Sequence, residues 1–318
     1  MVEKRRETWY DVFGLAMGRP SRIWIRKDMQ MNTNFYLPDF YTNVKLICFL
    51  ADIQQATPEC FFEGAKIASA YGCFPGSIWN GGRVMPGTCK KADMQNVIDS
   101  LNARNIAVRF TFTNPLIEEK HLNDTFCNLA LELANNGMNE VLVNSPVIEN
   151  YMRKNYPKYP LISSTTKCLD KLDDIKAEME KDYAIVVIDS ALNNTPELFA
   201  LDHKDRMELI ADHFCEDNCP RRRAHYIVQG RAQLEFSDPE WKPCMNIARE
   251  FWQIKSNRSF LSTDLIYGKY KEAGFQHFKL DGRSYPPRRL IDSFLYYLVK
   301  PEWREKMIPI IWREVYNT

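Results

Sequence analysis

The feature that most constrains the fold of this chain is an alternation of short β-branched segments with helical segments, which starts near residue 44. Such alternation is typical of βα units around a parallel sheet. Eight segments have strand character: residues 44–50, 76–80, 107–113, 140–144, 161–165, 184–189, 207–213 and 277–281. Eight parallel strands predict an α/β fold, a closed (β/α)8 TIM-like barrel, although a doubly wound open sheet can be written from the same elements.

The repeat divides the chain into three predicted parts. Residues 1–43 form an N-terminal extension that packs on the barrel, residues 44–300 form the barrel, and residues 301–318 form a C-terminal helix. Helices are predicted at 58–71, 91–104, 118–135, 147–155, 168–181, 196–201 and 287–298. The stretch between strands seven and eight is too long for one βα connection. We therefore expect a helical insertion at about 220–275, with helices at 245–254 and 264–273, which could act as a lid.

Composition argues against several classes of protein, although local basic patches leave a nucleic-acid partner open. The net charge of +1 argues against the basic field that non-specific nucleic-acid binding requires. No apolar run approaches the roughly 18 residues of a membrane span, and the first residues lack the apolar segment of a signal peptide. Nine unevenly spaced cysteines fit a reducing compartment better than a disulfide framework. These features predict a cytoplasmic protein without a membrane partner.

Polar side chains follow most of the predicted strands. In a barrel these positions converge on one pocket at the C-terminal ends of the strands. Capping of the next helix explains many Asn, Ser, Thr and Asp residues individually, but not Trp, Lys and Arg. As a set they predict a pocket for an anionic or hydroxyl-rich ligand. The predicted substrate-binding residues are Trp79, Asn80, Arg83, Asn114, Asn144, Ser164, Thr165, Lys279 and Arg283, and the predicted catalytic residues are Asp189, Lys167 and Asp281.

A group of cysteines follows the seventh predicted strand. Cys215 and Cys219 are separated by three residues, and Cys244 lies downstream in the insertion. Soft thiolates select zinc, copper(I) or iron–sulfur clusters. Cys60 is the first choice for a fourth ligand, because it begins a predicted helix whose N-terminus favours a thiolate. A metal site, buried structural thiols and a catalytic thiol all remain open as interpretations.

Two of these motifs resemble the peptidase U32 family, the collagenase-like proteins. The first is Cys215 and Cys219 followed by Pro220, after a late strand, and the second is residues 278–283, with the sequence FKLDGR. The family has Lys-Ile-Glu-Gly-Arg at the second motif, so Leu280 and Asp281 replace Ile and Glu. The resemblance covers roughly residues 140–300. Several members of the family are iron–sulfur proteins that hydroxylate RNA bases or a quinone precursor without oxygen. The resemblance therefore implies an iron–sulfur cluster, of the [4Fe–4S] type, bound by Cys215, Cys219 and Cys244.

Three functions follow as hypotheses. The first is a U32-like barrel enzyme with a cysteine-ligated iron–sulfur cluster, which performs redox or hydroxylation-type chemistry on a polar or anionic small molecule. The second is a metal-independent hydrolase or lyase, acting on a peptide or glycan, with Asp189 or Asp281 as acid or base and Lys167 as electrophile. The third is a non-catalytic binding protein whose cysteines hold zinc.

Overall fold

The computed structural model describes residues 32–216, 219–242, 244 and 248–316. Eight strands in this part form a closed barrel in chain order. They are β1 Thr33–Pro38, β2 Ala65–Gly72, β3 Ala107–Phe112, β4 Glu140–Val143, β5 Leu161–Ser163, β6 Ile185–Val187, β7 Met207–Ile210 and β8 His277–Lys279. Every neighbouring pair is parallel, and pairing of β1 with β8 closes the ring. The predicted barrel is confirmed, and the open sheet is excluded.

Helices cover the outside of the barrel. They are α1 Val44–Ala56, α2 Lys91–Asn102, α3 Thr125–Ala134, α4 Pro146–Asn155, α5 Leu172–Met179, α6 Pro196–Phe199, α7 Arg222–Glu235, α8 Pro287–Leu298 and α9 Pro301–Ile311. Local capping supports several of them: Asp124 caps α3 and Ser145 caps α4 through their side-chain oxygens. Among the described residues, no helix is long and apolar enough to cross a membrane.

The first two predicted strands are in the wrong place. Residues 44–50 belong to helix α1, and residues 76–80 form turns. The first strand, β1, lies inside the predicted N-terminal extension, and β2 lies where a helix was predicted at 58–71. The barrel therefore begins at Thr33, and the domain boundary predicted at residue 44 is wrong. Of the predicted extension, residues 1–31 lie outside the described residues.

The connection between β7 and β8 is the predicted helical insertion, but its helices differ from those expected. Its main helix is α7, which was not predicted. Of the predicted helix 245–254, residues 245–247 lie outside the described residues, and a 3₁₀ helix covers Phe251–Ser256. A short α-helix at Thr263–Leu265 and a π-helix at Ile266–Tyr270 occupy most of the predicted helix 264–273. The predicted C-terminal helix is α9 followed by a π-helical turn, Trp312–Tyr316.

Two separate apolar clusters show how the barrel is filled. The larger one joins the outward-facing strand side chains to the helices. The smaller one consists of seven buried side chains that alternate with them along the strands and therefore face the interior: Tyr36, Tyr71, Leu142, Ile162, Ile185, Val187 and Ile210. The same alternation points Arg109, Glu208 and Lys279 into the barrel. The interior thus contains buried charges as well as apolar residues.

Candidate functional site

A pocket of about 870 Å³, its open mouth included, lies at the C-terminal ends of the strands. Strands β2, β3, β4, β7 and β8, the loops after β2, β5, β7 and β8, and helix α7 all contribute to its wall. Its polar lining includes four cations, three hydroxyls after β5, two thiols and one carboxylate: Arg83, Arg222, Lys279, Arg283, Ser164, Thr165, Thr166, Cys215, Cys244 and Asp281. Positive charge therefore dominates the pocket.

Five of the nine predicted substrate-binding residues line this pocket: Arg83, Ser164, Thr165, Lys279 and Arg283. Arg283 is fixed by three acceptors. Its Nη1 donates to Asn80 Oδ1 at 2.9 Å and Thr111 Oγ1 at 3.0 Å, and its Nη2 donates to Gly81 O at 2.7 Å. Because these bonds hold the guanidinium in place, Arg283 presents a positive charge with little conformational freedom. Contact of the five lining residues with a substrate stays a prediction.

The other four predicted substrate-binding residues lie behind the lining and hold it together. Trp79 is fully buried against Phe112 and donates from its indole nitrogen to His121 O at 2.8 Å, so its prediction as a substrate contact is wrong. Asn80 supports Arg283, and Asn144 Nδ2 donates to Thr166 Oγ1 at 2.8 Å.

Asn114 is the fourth of these residues, and it connects the loop after β3 to helix α7. Its Nδ2 donates to Gly230 O at 2.9 Å and to Ile78 O at 3.1 Å, and its Oδ1 accepts from Leu116 N at 3.1 Å. The side chain is fully buried and does not line the pocket. Asn114 therefore positions the wall of the pocket instead of contacting a ligand.

Lys167 does not line the pocket, contrary to its predicted catalytic role. Its Nζ donates to Glu178 Oε1 at 2.5 Å and to Tyr183 Oη at 2.8 Å. Burial lowers the pKa of Lys167, although Glu178 favours its charged form. Glu178 also accepts from Ser163 Oγ at 2.5 Å. The lysine therefore belongs to a paired network between the end of β5 and helix α5.

Asp189 also has a structural partner. Its Oδ1 accepts from Arg222 Nη1 at 3.1 Å and from Ala191 N at 2.9 Å, and its Oδ2 accepts from Arg222 Nη2. The side chain of Asp189 is 1% exposed, and that of Arg222 is 15% exposed. The carboxylate therefore orients Arg222, which lines the pocket, and does not line the pocket itself.

Asp281 is the predicted catalytic residue that does line the pocket. Its Oδ2 lies 3.9 Å from His213 Nδ1 and accepts from Tyr285 Oη at 3.4 Å. Its backbone nitrogen donates to Asp212 Oδ1 at 2.6 Å, and Asp212 Oδ2 accepts from Ser293 Oγ at 2.5 Å. Burial raises the pKa of Asp212 to about 8. Asp281 and His213 together can supply acid–base chemistry in the pocket.

The cysteines divide between the two faces of the barrel. Cys215 and Cys244 line the pocket, and Cys219 lies in an adjoining cleft with Cys168. Burial, and the neighbouring Cys219 and Cys244, raise the pKa of Cys215 to about 11. Cys60 precedes β2 and is therefore at the N-terminal face, where its backbone oxygen accepts from Lys300 N at 2.9 Å. Its prediction as a fourth ligand is wrong, because the barrel separates it from the other three.

The thiols fit a soft metal by their chemistry but do not form a finished ligand set. Within the ranges that the structure describes, no group of three or more Cys, His, Asp or Glu side chains is arranged to hold a metal ion. Cys219 faces a different cleft from Cys215 and Cys244. Binding of a cluster by these three cysteines would require them to converge.

Several lining residues were not predicted. Tyr71 belongs to β2, which was predicted as a helix, and Arg222, His225 and Tyr226 belong to the unpredicted α7. Burial lowers the pKa of His225 to about 4, with Arg83 and Arg221 acting in the same direction. His225 also stacks on Trp241, with the ring centroids 4.9 Å apart. The arginines at 221–223 are the sequence feature that points to this part of the pocket, but a run of arginines is equally typical of a solvent-exposed helix face.

Comparison with solved structures finds a similar fold. The structure of the U32 peptidase Mk0906 matches with a TM-score of 0.51 and 15% sequence identity, over 85% of this chain and 100% of that chain. No protein-family model matches the sequence, and no curated protein matches it. The solved structure belongs to the family that the two sequence motifs resemble, so the resemblance is confirmed at the level of the fold. At this identity the likeness concerns the barrel alone.

Proposed function

We propose that this chain is a U32-like barrel enzyme that binds a polar, anionic substrate in the pocket at the C-terminal ends of its strands. The observation that carries the proposal is the convergence of Arg83, Arg222, Lys279 and Arg283 on one pocket. Guanidinium groups bind carboxylates and phosphates through paired, charge-assisted hydrogen bonds. A small molecule with such a group is the substrate class that this lining favours.

Selectivity for a hydroxyl-bearing substrate is supported by three hydroxyl side chains in the same lining. Ser164, Thr165 and Thr166 lie at the end of β5 and line the pocket. Ser164 Oγ and Thr166 Oγ1 are 3.0 Å apart, and Asn144 holds Thr166 from behind. A substrate whose anionic group is bound by the arginines would have these hydroxyls in the same pocket as hydrogen-bond partners.

A finer proposal is that Cys215, Cys219 and Cys244 bind an iron–sulfur cluster beside the substrate. A bound cluster would supply redox or Lewis-acid chemistry. We expect iron and acid-labile sulfide in protein prepared without oxygen, and loss of both in Cys215→Ser. Cys60→Ser is the matched control, since it removes a thiol from the opposite face and should retain the iron. An active, colourless and iron-free wild-type preparation would contradict the proposal.

Metal and sulfide analysis also tests whether the chain is a non-catalytic binding protein stabilised by zinc. Stoichiometric zinc without sulfide, together with no turnover of any anionic substrate tested, would support a zinc-stabilised binding protein. Zinc would then be retained in variants of the pocket cations and lost in Cys215→Ser.

Metal-independent hydrolysis is a second candidate because Asp281 lies 3.9 Å from His213 at the pocket. In this reaction the pair would move the proton of an attacking water while the arginines hold the substrate. We expect Asp281→Asn to lose activity and Cys215→Ser to retain it. Loss of activity in both variants would favour the cluster-dependent enzyme instead.

A further inference from the structure

Lys279 is a buried cation that lines the pocket, and the nearest anion to its amine is Glu208. It is the last residue of β8, is 7% exposed and lines the pocket. The nearest carboxylate oxygen is Glu208 Oε1 at 3.7 Å, beyond hydrogen-bond length, and the Tyr71 ring centroid lies 4.0 Å away. The ion pair with Glu208 is therefore too long to be a hydrogen bond that a ligand would have to break.

Burial favours the neutral amine of Lys279, and the nearby cations Arg109 and Arg283 act in the same direction, whereas Glu208 and Asp281 oppose it. Glu208 Oε2 accepts from Arg109 Nη1, so Lys279 and Arg109 share one buried carboxylate. The charged groups facing Lys279 are Glu208, Arg109, Arg283 and Asp281, and burial is the largest cause that lowers its pKa, to about 8. Desolvation beside another cation is an established way for a protein to make a lysine nucleophilic.

We infer that Lys279 is a nucleophilic amine that forms an imine with a carbonyl compound carrying an anionic group, a 2-oxo acid being the simplest case. Its amine and the guanidinium groups of Arg83 and Arg283 line the same pocket. A carboxylate bound at the arginines would direct the adjacent carbonyl carbon towards the β8 side of the pocket. The inference rests on the proposed function for the anionic part of the substrate and on Lys279 alone for the covalent bond.

The reaction balances without a further reagent. The lone pair of Lys279 Nζ attacks the carbonyl carbon, the π electrons move to oxygen, and a proton passes from nitrogen to oxygen to give a carbinolamine. The hydroxyl then leaves as water with a second proton, and a carbon–nitrogen double bond forms. Asp281 and Glu208 are the carboxylates near the amine that can transfer these protons. The protein and the carbonyl compound lose one water and undergo no oxidation or reduction.

A second buried lysine provides an internal comparison. Lys167 Nζ donates to Glu178 and Tyr183, at 2.5 Å and 2.8 Å, and the side chain does not line the pocket. An attack by Lys167 would break both bonds and leave Glu178 buried without that partner. Lys120, whose side chain is 69% exposed and pairs with Glu118 at 2.7 Å, serves as a solvent-accessible background.

The test uses wild-type protein freed of metal with a chelator, incubated with limiting pyruvate at pH 7 and reduced with sodium borohydride. Borohydride delivers hydride to the imine carbon and makes the bond permanent, so peptide mass mapping locates it. With a pKa of about 8, Lys279 has about 300-fold more neutral amine than a lysine at 10.5. We expect the adduct on Lys279 in large excess over Lys167 and Lys120. Adducts on exposed lysines with Lys279 unmodified would overturn the inference.

Acetaldehyde and Arg83→Gln separate the amine from the anion site. If the inference and the proposed function both hold, pyruvate labels Lys279 faster than acetaldehyde does, and Arg83→Gln removes that advantage. Equal labelling of Lys279 by both compounds would support the amine and contradict the anionic pocket. If inorganic phosphate protects the pocket from proteolysis but neither compound labels Lys279, the pocket stands and the imine is overturned.

Discussion

The interior of the barrel uses buried charges in two different ways. Towards the N-terminal end, Arg109 is bound by Glu140 at 2.6 Å and by Glu208, and its guanidinium lies 3.8 Å from the Tyr36 ring centroid. Towards the C-terminal end, Arg83 and Arg283 line an open pocket. The first group consists of opposite charges that satisfy one another, and the second is a positive set facing solvent.

This difference separates stability from function within one fold. A paired buried charge contributes little net stability, but removing its partner leaves an uncompensated charge in a low-dielectric interior. A cation in an open pocket can instead be satisfied by a ligand. Substitutions in the first group should therefore change the free energy of unfolding, and substitutions in the second group should change the affinity for a ligand.

The largest effect expected from one substitution at a fixed, neutral pH is at the paired end. Arg109→Met should lower the free energy of unfolding by about 3–5 kcal/mol, because Glu208 would remain fully buried without its main partner. Urea unfolding followed by circular dichroism measures the change. Arg153→Met is the matched control: Arg153 is 35% exposed and pairs with Glu149 and with the fully exposed Asp182, so the loss should stay under about 1 kcal/mol. Equal losses would contradict the comparison.

The next effect concerns pH. Burial raises the pKa of Asp212 from 3.8 to about 8, so the folded protein holds a proton that the unfolded chain has released. The contribution of Asp212 to the free energy of unfolding is then fully present below about pH 4 and falls as pH rises from about 4 to about 8, by up to about 1.4 kcal/mol per unit. Asp212→Asn should flatten this part of the profile. An unchanged slope in unfolding experiments at pH 5 and pH 8 would show that Asp212 is ionised when folded.

The smallest effect in free energy is at the open end. Arg83→Gln should weaken binding of inorganic phosphate at least tenfold, about 1.4 kcal/mol, with little change in the free energy of unfolding. Isothermal titration calorimetry measures the affinity. Arg313→Gln removes the same charge from an exposed side chain in the C-terminal turn and should leave phosphate binding unchanged. If both variants bind alike, net charge and not the pocket attracts the anion.

Sequence was sufficient for six strands and insufficient for two. The segment at 44–50 is a short apolar run, which suits a buried strand or a buried helix equally well, and only the spacing of Leu46, Leu50 and Ile53 in α1 shows the helical face. Strand β2 is rich in Ala and Ser, which have little β-propensity, and its neighbours β1 and β3 determine its conformation. The count of eight was right because one missed strand replaced each misplaced one.

For the site, sequence located the rim but not the direction of each side chain. Lys167 and Asp189 follow strands as predicted, yet Glu178 and Arg222 bind them away from the lining. Arg222 lies 33 positions from Asp189, so no local pattern reveals the pairing. Cys60 was assigned to the wrong face as a direct result of the misplaced first strand. Misplacing the first strands along the sequence thus also gives a wrong prediction of which residues share one face of the barrel.

Helix α7 has a consequence for how a substrate reaches the pocket. Gln229 and Gln233 accept from the backbone nitrogens of Val84 and Met85 at 3.0 Å and 2.7 Å, and a Cβ on Gly230 would lie 2.4 Å from Asn114 Oδ1. The helix is thus fastened to the loops after β2 and β3 and serves as a fixed wall, unlike the mobile lid that its place in a long insertion suggests. A substrate therefore reaches the pocket without displacing α7, and the amide hydrogens of Val84 and Met85 should resist replacement by deuterium as those of the barrel strands do.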